Sequence, residues 1–130
     1  MDFTRESPIV VRSFHYDMNE KLAVKSEVNV AMRKAALKQD DGTMDAGTDG
    51  GYYEVAVVFE VSPEPGEFSV SGLISQVVKI AGYHGEGKDL DKSDYKLMSR
   101  PLVEYIETLT YEVTQVAMDK PVNLNFKSNF

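Results

Sequence analysis

The chain has no cysteine and only two histidines. It also has no long apolar run and no excess of basic charge. Without cysteine there is no disulfide, zinc–thiolate site, iron–sulfur cluster or cysteine nucleophile. That absence fits a reducing compartment. No stretch approaches the ~18 apolar residues a membrane-spanning helix needs. Met1-Asp2-Phe3-Thr4-Arg5-Glu6 has neither the basic start nor the apolar core of a signal peptide, so a cytoplasmic location is expected. Lys and Arg number 14 against 21 Asp and Glu, a net charge of -7. An acidic surface disfavours nucleic-acid backbones and anionic lipid, and favours solubility and cationic partners. Arg33-Lys34 and Lys38 stand alone, without the basic and aromatic clustering of a nucleic-acid platform.

What is present describes a globular domain. The 130 residues are 42% hydrophobic and 27% charged, enough for one domain over 1–130 with its own core. Ile9 to Tyr16 is rich in β-branched and aromatic residues and reads as a strand. Val10, Phe14 and Tyr16 fall on one face, interrupted by Arg12, and Ile9, Val11 and Ser13 on the other, as if both faces were covered. Glu27 to Met32 alternates, with Val28, Val30 and Met32 on one side. Residues 38–51 read as a loop. Tyr53, Val55, Val57, Phe59 and Val61 then alternate with Tyr52, Glu54, Ala56, Val58 and Glu60, the strongest strand signal in the chain. Ser62-Pro63-Glu64-Pro65-Gly66 is a turn, with Pro65-Gly66 suited to the central pair of type II. A strand with Phe68, Val70, Ile74, Val78 and Ile80 on one face follows, completing an antiparallel hairpin.

Residues 81–98 read as a second loop with a short helical turn near Leu90 to Leu97. A long helix is predicted from Ser99, as N-cap, to Met118, because proline is tolerated in a first turn. Leu102, Ile106, Leu109, Val113 and Val116 form its apolar stripe, and Glu104, Glu107 and Glu112 its solvated side.

No complete catalytic constellation is present. The Gly82–Lys88 loop has the G-x-x-x-x-G-K spacing of a phosphate-binding loop and follows a strand. Asp89, however, stands where a magnesium-binding hydroxyl belongs, and the following residues make a poor helix. Asp41, Asp45 and Asp49 resemble part of a calcium loop, but Gly47 and Ala56 occupy ligand positions, so a solvated acidic loop is the plainer reading. His15 and His84 have no partner motif, and Ser69, Ser71 and Ser75 lie in a strand without a nucleophile elbow. No metal and no cofactor is expected. Phe14, Tyr16, Tyr52, Tyr83, Leu97 and Met98 are apolar residues placed beyond the reach of a four-stranded core, and exposed apolar patches mark contacts.

Phe68-Ser69-Val70-Ser71-Gly72 after a strand, then a loop, a long helix and a terminal Pro-x-x-Leu-x-Phe, together resemble the SecB-like fold, that of the cytosolic chaperone SecB, which holds unfolded preproteins. Ser99-Arg100-Pro101-Leu102, Leu109-Thr110-Tyr111-Glu112-Val113-Thr114 and Ser13-Phe14-His15-Tyr16-Asp17 are similar to an uncharacterised family of Gram-positive bacteria regarded as SecB-like. The resemblance implies an α+β domain, a four-stranded antiparallel sheet with one long C-terminal helix on a face. It also implies homo-oligomers (dimer or tetramer) and hydrophobic grooves for extended peptides. The chain lacks SecB's aromatic, proline-bearing run before the helix and reads Lys96-Leu97-Met98-Ser99-Arg100-Pro101 there.

The expected function is a non-enzymatic, chaperone-like module. It would capture extended apolar polypeptide through strand addition and pockets at Phe14, Tyr16, Tyr52, Tyr83, Leu97 and Met98. Its partners would be unfolded polypeptide or another protein, with no nucleic acid and no membrane. Two alternatives stand beside it: a scaffold for one folded partner, and a small-ligand or nucleotide binder using Gly82–Lys88.

Overall fold

The computed structural model describes residues 3–18, 23–35, 37–38, 44–45, 50–85 and 90–124. Its elements are β1 (Phe3–Arg5), β2 (Val10–Met18), β3 (Lys25–Ala35), β4 (Leu37–Lys38), β5 (Met44–Asp45), β6 (Gly50–Ser62), β7 (Phe68–Ala81) and α1 (Lys92–Ala117). The main sheet is antiparallel and has five strands; β7, β6 and β3 follow one another across it, and both β1 and β2 pair with β7. Four strands were expected. The fifth, β1, lies end to end with β2 along the same edge of β7, pairing at Val78 to Ile80 while β2 pairs from Ser75 to Phe68. The sheet is therefore four strand positions wide.

Pro8, which has no N–H, separates the two edge strands. Side chains replace the broken ladder: the Val77 N–H donates to Ser7 Oγ at 2.9 Å, and Gln76 Nε2 donates to the Ser7 carbonyl at 3.0 Å. Farther along, a bulge between Val11 and Ser13 inserts Arg12. It corrects the facing expected for this strand. Val11 pairs with Ile74 and joins Phe14 and Tyr16 on the helix side, whereas Val10 pairs with Ser75 on the other. The strand is not covered twice; Val10 and Val11 are both exposed.

The alternation of β6 holds along its length. Tyr53, Val55, Val57, Phe59 and Val61 are buried under α1, and β7 adds Phe68, Val70, Ile74, Val78 and Ile80. Between β6 and β7 the hydrogen bond from the Gly66 N–H to the Pro63 carbonyl (2.8 Å) centres the turn on Glu64-Pro65, whose peptide is cis. This is the type VI arrangement rather than type II. Part of the expected 38–51 loop is a short ribbon, β4 paired with β5; Asp41 and Asp49 lie outside the described residues.

The helix begins earlier than expected. Asp91, not Ser99, is the N-cap: its carboxylate accepts from the Asp94 N–H at 3.0 Å, and Asp94 reaches back to the Asp91 N–H in a capping box. Hydrogen bonds from the Ser93 hydroxyl and then the Asp94 N–H hold the Asp91 carboxyl below its ordinary pKa. The expected turn near 90–97 is thus the first part of a 26-residue helix about 39 Å long. Ser99 is buried inside it and donates to the Tyr95 carbonyl at 2.6 Å. Pro101 sits within the helix, where it removes the donor for the Leu97 carbonyl. Leu97 faces water at 59% exposure, so solvent can take that role.

The buried stripe also differs. Met98, Leu102, Val103 and Ile106 pack on the sheet, then Thr110 and Thr114 continue the line. Each threonine satisfies its hydroxyl by donating to the carbonyl four residues back, at 2.8 and 2.7 Å. Val116, expected in the core, is 85% exposed because it lies on the far side of the last turns. Beyond Asp119, whose φ is +54°, the chain turns back; the Val122 N–H donates to Thr114 Oγ1 at 2.8 Å and Leu124 enters the core.

Candidate functional site

α1 packs on the two central strands, β6 and β7. A helix is about 10–12 Å across with its side chains, while strands lie about 4.8 Å apart. One helix therefore shields little more than two strands, and the margins of the same face extend past it. On the β3 margin Val28, Val30 and Met32 are half-buried; on the β2 margin Phe14 and Tyr16 are half-buried and Val11 and Met18 exposed. These rows flank the core and join it without being closed over.

The β2 margin is built around Gly72. Phe14, Gly72 and Phe59 stand side by side across β2, β7 and β6, and a Cβ at Gly72 would strike the Ser13 carbonyl. The missing side chain lets the Phe14 and Phe59 rings approach to 6.0 Å between centroids. Tyr16 rests on Phe68 at 5.8 Å, and its hydroxyl is buried with no hydrogen-bond partner among the described residues.

At the other end, Arg5 ties the edge to the helix. Its Nη1 donates to Gln76 Oε1 at 2.8 Å and to the Met98 carbonyl at 3.4 Å, near Pro101. Burial lowers the Arg5 pKa from its usual value.

The six residues singled out from the sequence separate into three groups. Phe14 and Tyr16 line the β2 margin. Leu97 is exposed on the solvent side of α1, apart from both. Met98, Tyr52 and Tyr83 do not form an exposed patch. Met98 is fully buried because it lies inside the helix, about 100° round from Leu97. Tyr52 is 7% exposed on the opposite sheet face, with Lys79 Nζ 5.5 Å from its ring centroid. Tyr83 is half-buried against Tyr53 at 5.6 Å. Val28, Val30 and Met32 were read as one face of a strand and not as a contact surface. Their alternation marks a strand face, and the width of one helix against four strand positions is what leaves that face partly open.

The described half of the Gly82–Lys88 loop is turned toward β6. The Tyr83 carbonyl accepts from the Gly51 N–H at 2.7 Å, and the Gly85 carbonyl accepts from Tyr53 Oη at 2.7 Å. A phosphate cradle needs inward-facing N–H groups instead. Lys88 and Asp89 lie outside the described residues. Among the described residues no three His, Asp or Glu side chains converge, and no helix is long and apolar enough to cross a membrane.

Comparison with known proteins follows this geometry. A family model described as "Protein of unknown function (DUF1149)" matches residues 1–126. A crystal structure of a protein of unknown function from Streptococcus agalactiae is similar over 97% of this chain and 98% of that one, with 28% identity and a TM-score of 0.71. A SecB-like chaperone of Mycobacterium tuberculosis, solved in complex with a ChAD peptide from an antitoxin, is similar over 95% of this chain and 89% of that one. There the identity is 8% and the TM-score 0.50, a likeness of fold. No curated protein matches the chain.

Proposed function

Because the chain belongs to the DUF1149 family and has a SecB-like α+β fold, we propose that it is a non-enzymatic, chaperone-like module for extended apolar polypeptide segments. The observation that carries this reading is the pair of apolar margins that α1 leaves open. A groove beside a helix, floored by half-buried side chains and bordered by an edge strand, can hold an extended chain in two ways. The strand edge supplies backbone hydrogen bonds and the floor takes alternate side chains.

The two margins are unequal. β3 pairs with β6 without interruption from Lys25↔Ser62 to Ala35↔Tyr52, so its regular outer edge is the one suited to strand addition. The edge formed by β1 and β2 is broken at Pro8 and bent by the Arg12 bulge, features that oppose further pairing. Its contribution is the aromatic surface of Phe14 and Tyr16. The peptide-bound chaperone of similar fold supports a polypeptide ligand, and the cysteine-free composition supports action in the cytoplasm.

The test is light scattering of a chemically denatured client during refolding. The wild-type protein at stoichiometric amounts should delay aggregation, and Val30→Asp and Phe14→Asp should each reduce the delay while the folded circular-dichroism spectrum is kept. Absence of any delay, or full protection by both variants, contradicts the reading.

Leu97, Tyr105 and Val116, at 59%, 44% and 85% exposure, favour a second contact. All three are exposed along α1, where the proposed occupant is a second copy of the chain. Light scattering coupled to gel filtration should give a dimer or tetramer that Tyr105→Asp shifts toward monomer.

A further inference from the structure

The sheet face turned away from α1 carries a built feature independent of the margins. Across its middle, Ser75, Ala56 and Ala31 stand side by side on β7, β6 and β3. Ala56 and Ala31 floor an open depression of about 340 Å³, with Leu73 on one side and Arg12, Glu54 and Arg33 on the other. Glu54 is at the centre of the charged wall and its side chain is only 12% exposed. Arg12 Nη2 donates to Glu54 Oε2 at 2.9 Å, and Arg33 Nε donates to Oε1 at 2.7 Å. Arg12 Nε also donates to Ser75 Oγ at 2.9 Å, so the β2 bulge aims this guanidinium across two strands.

One carboxylate between two guanidinium groups leaves a local charge of +1 in a chain whose net charge is -7. Among the described residues, Arg33 uses Nε alone, and its side chain is 77% exposed. Its two terminal nitrogens form a planar fork, the geometry that recognises a carboxylate. The apolar and cationic walls face each other across the floor, and the depression is open above rather than enclosed as small-molecule pockets are. That shape fits side chains presented by a chain lying across the sheet.

We propose that this depression binds an acidic side chain of an extended polypeptide together with an aliphatic one two positions away, the carboxylate on Arg33 and Arg12 and the aliphatic group over Ala56 and Leu73. Glu54 sets the strength: it fixes both guanidinium groups and cancels half of their charge. The site lies on the opposite face from the margins and does not depend on their reading.

The experiment is an NMR titration of the full chain with acetyl-Leu-Gly-Glu-Gly-amide and with its Gln counterpart, following the Arg12 and Arg33 Nε–H signals. The Glu peptide should move both signals saturably, with affinity about tenfold above that of the Gln peptide. Arg33→Gln, at an exposed position, should abolish the difference. Glu54→Gln should tighten the Glu peptide by about threefold, because the local charge rises. A purely structural ion pair predicts no such gain. Equal shifts with both peptides, no shift, or an unchanged preference in Arg33→Gln overturns the site. Acetate binding as tightly as the peptide overturns the polypeptide assignment.

Discussion

Val11, Ile74, Val57 and Val30 stand in one row across β2, β7, β6 and β3, on the same face of the sheet. The central pair is fully buried, Val30 is half-buried and Val11 is 37% exposed. Three of the four are valine, and all have similar β-propensity. Their different environments come from what lies above them: α1 packs chiefly on β6 and β7. The row shows that apolar alternation reports the face of a strand, while the width of the covering layer decides whether that face is core or contact surface.

This contrast can be broken most directly with matched truncations. Val57→Ala should destabilise by about 2–3 kcal/mol in urea melts, and Val30→Ala by only about 1 kcal/mol. Equal losses would mean that the β3 margin is closed core and not an open floor. Tyr16→Phe should raise stability by about 1 kcal/mol, because it removes a buried hydroxyl without a partner among the described residues. A loss instead would place a bonding partner for that hydroxyl at the β2 margin. Asp119→Gly should raise stability in urea melts by about 0.5–1 kcal/mol. It relieves a positive φ and takes an acidic group from the helix C-terminus. The effect should be indifferent to the margins, and a change in client protection would link the helix end to them.

The smallest effect is a pH dependence at the helix start. The folded pKa of Asp91 is depressed, so its capping contribution is present above the ordinary aspartate value. It is lost as pH falls from there through the lowered folded pKa. Asp91→Asn should keep a capping oxygen yet flatten this acid limb, measured by melts between about pH 5 and 2. An unchanged limb would assign it to other carboxylates.

The sequence made the centre of this fold more legible than its edges. The β6 alternation and the hairpin to β7 rest on local periodicity, which the structure follows residue by residue. The helix start was misplaced because Ser99-Arg100-Pro101 has the look of a first turn, while the true cap uses aspartate at both ends of its box. The last turns misled for another reason: Thr110 and Thr114 count as polar, yet back-bonding to the helix lets them be buried where Val116 is not. At the β2 margin, one inserted residue reversed the facing of Val10 and Val11, and no alternation pattern reveals such a bulge beforehand. Of the seven side chains on the β2 and β3 margins, the sequence therefore points to two as contacts, Phe14 and Tyr16. The Arg12–Glu54–Arg33 cluster was hidden, since its members come from three strands and meet only once the register is set.

The contact from Arg5 to the Met98 carbonyl, 93 residues away, also bears on how the chain is made. The first strands can pair only with β7, and Arg5 can close on the helix only after Met98 has emerged. The segment holding β1 and β2 therefore leaves the ribosome before its partners and waits until β7 and α1 have followed. Such distant pairing slows folding and lengthens the exposure of an unpaired strand. A domain proposed to shelter unfinished chains is itself, for that interval, one of them.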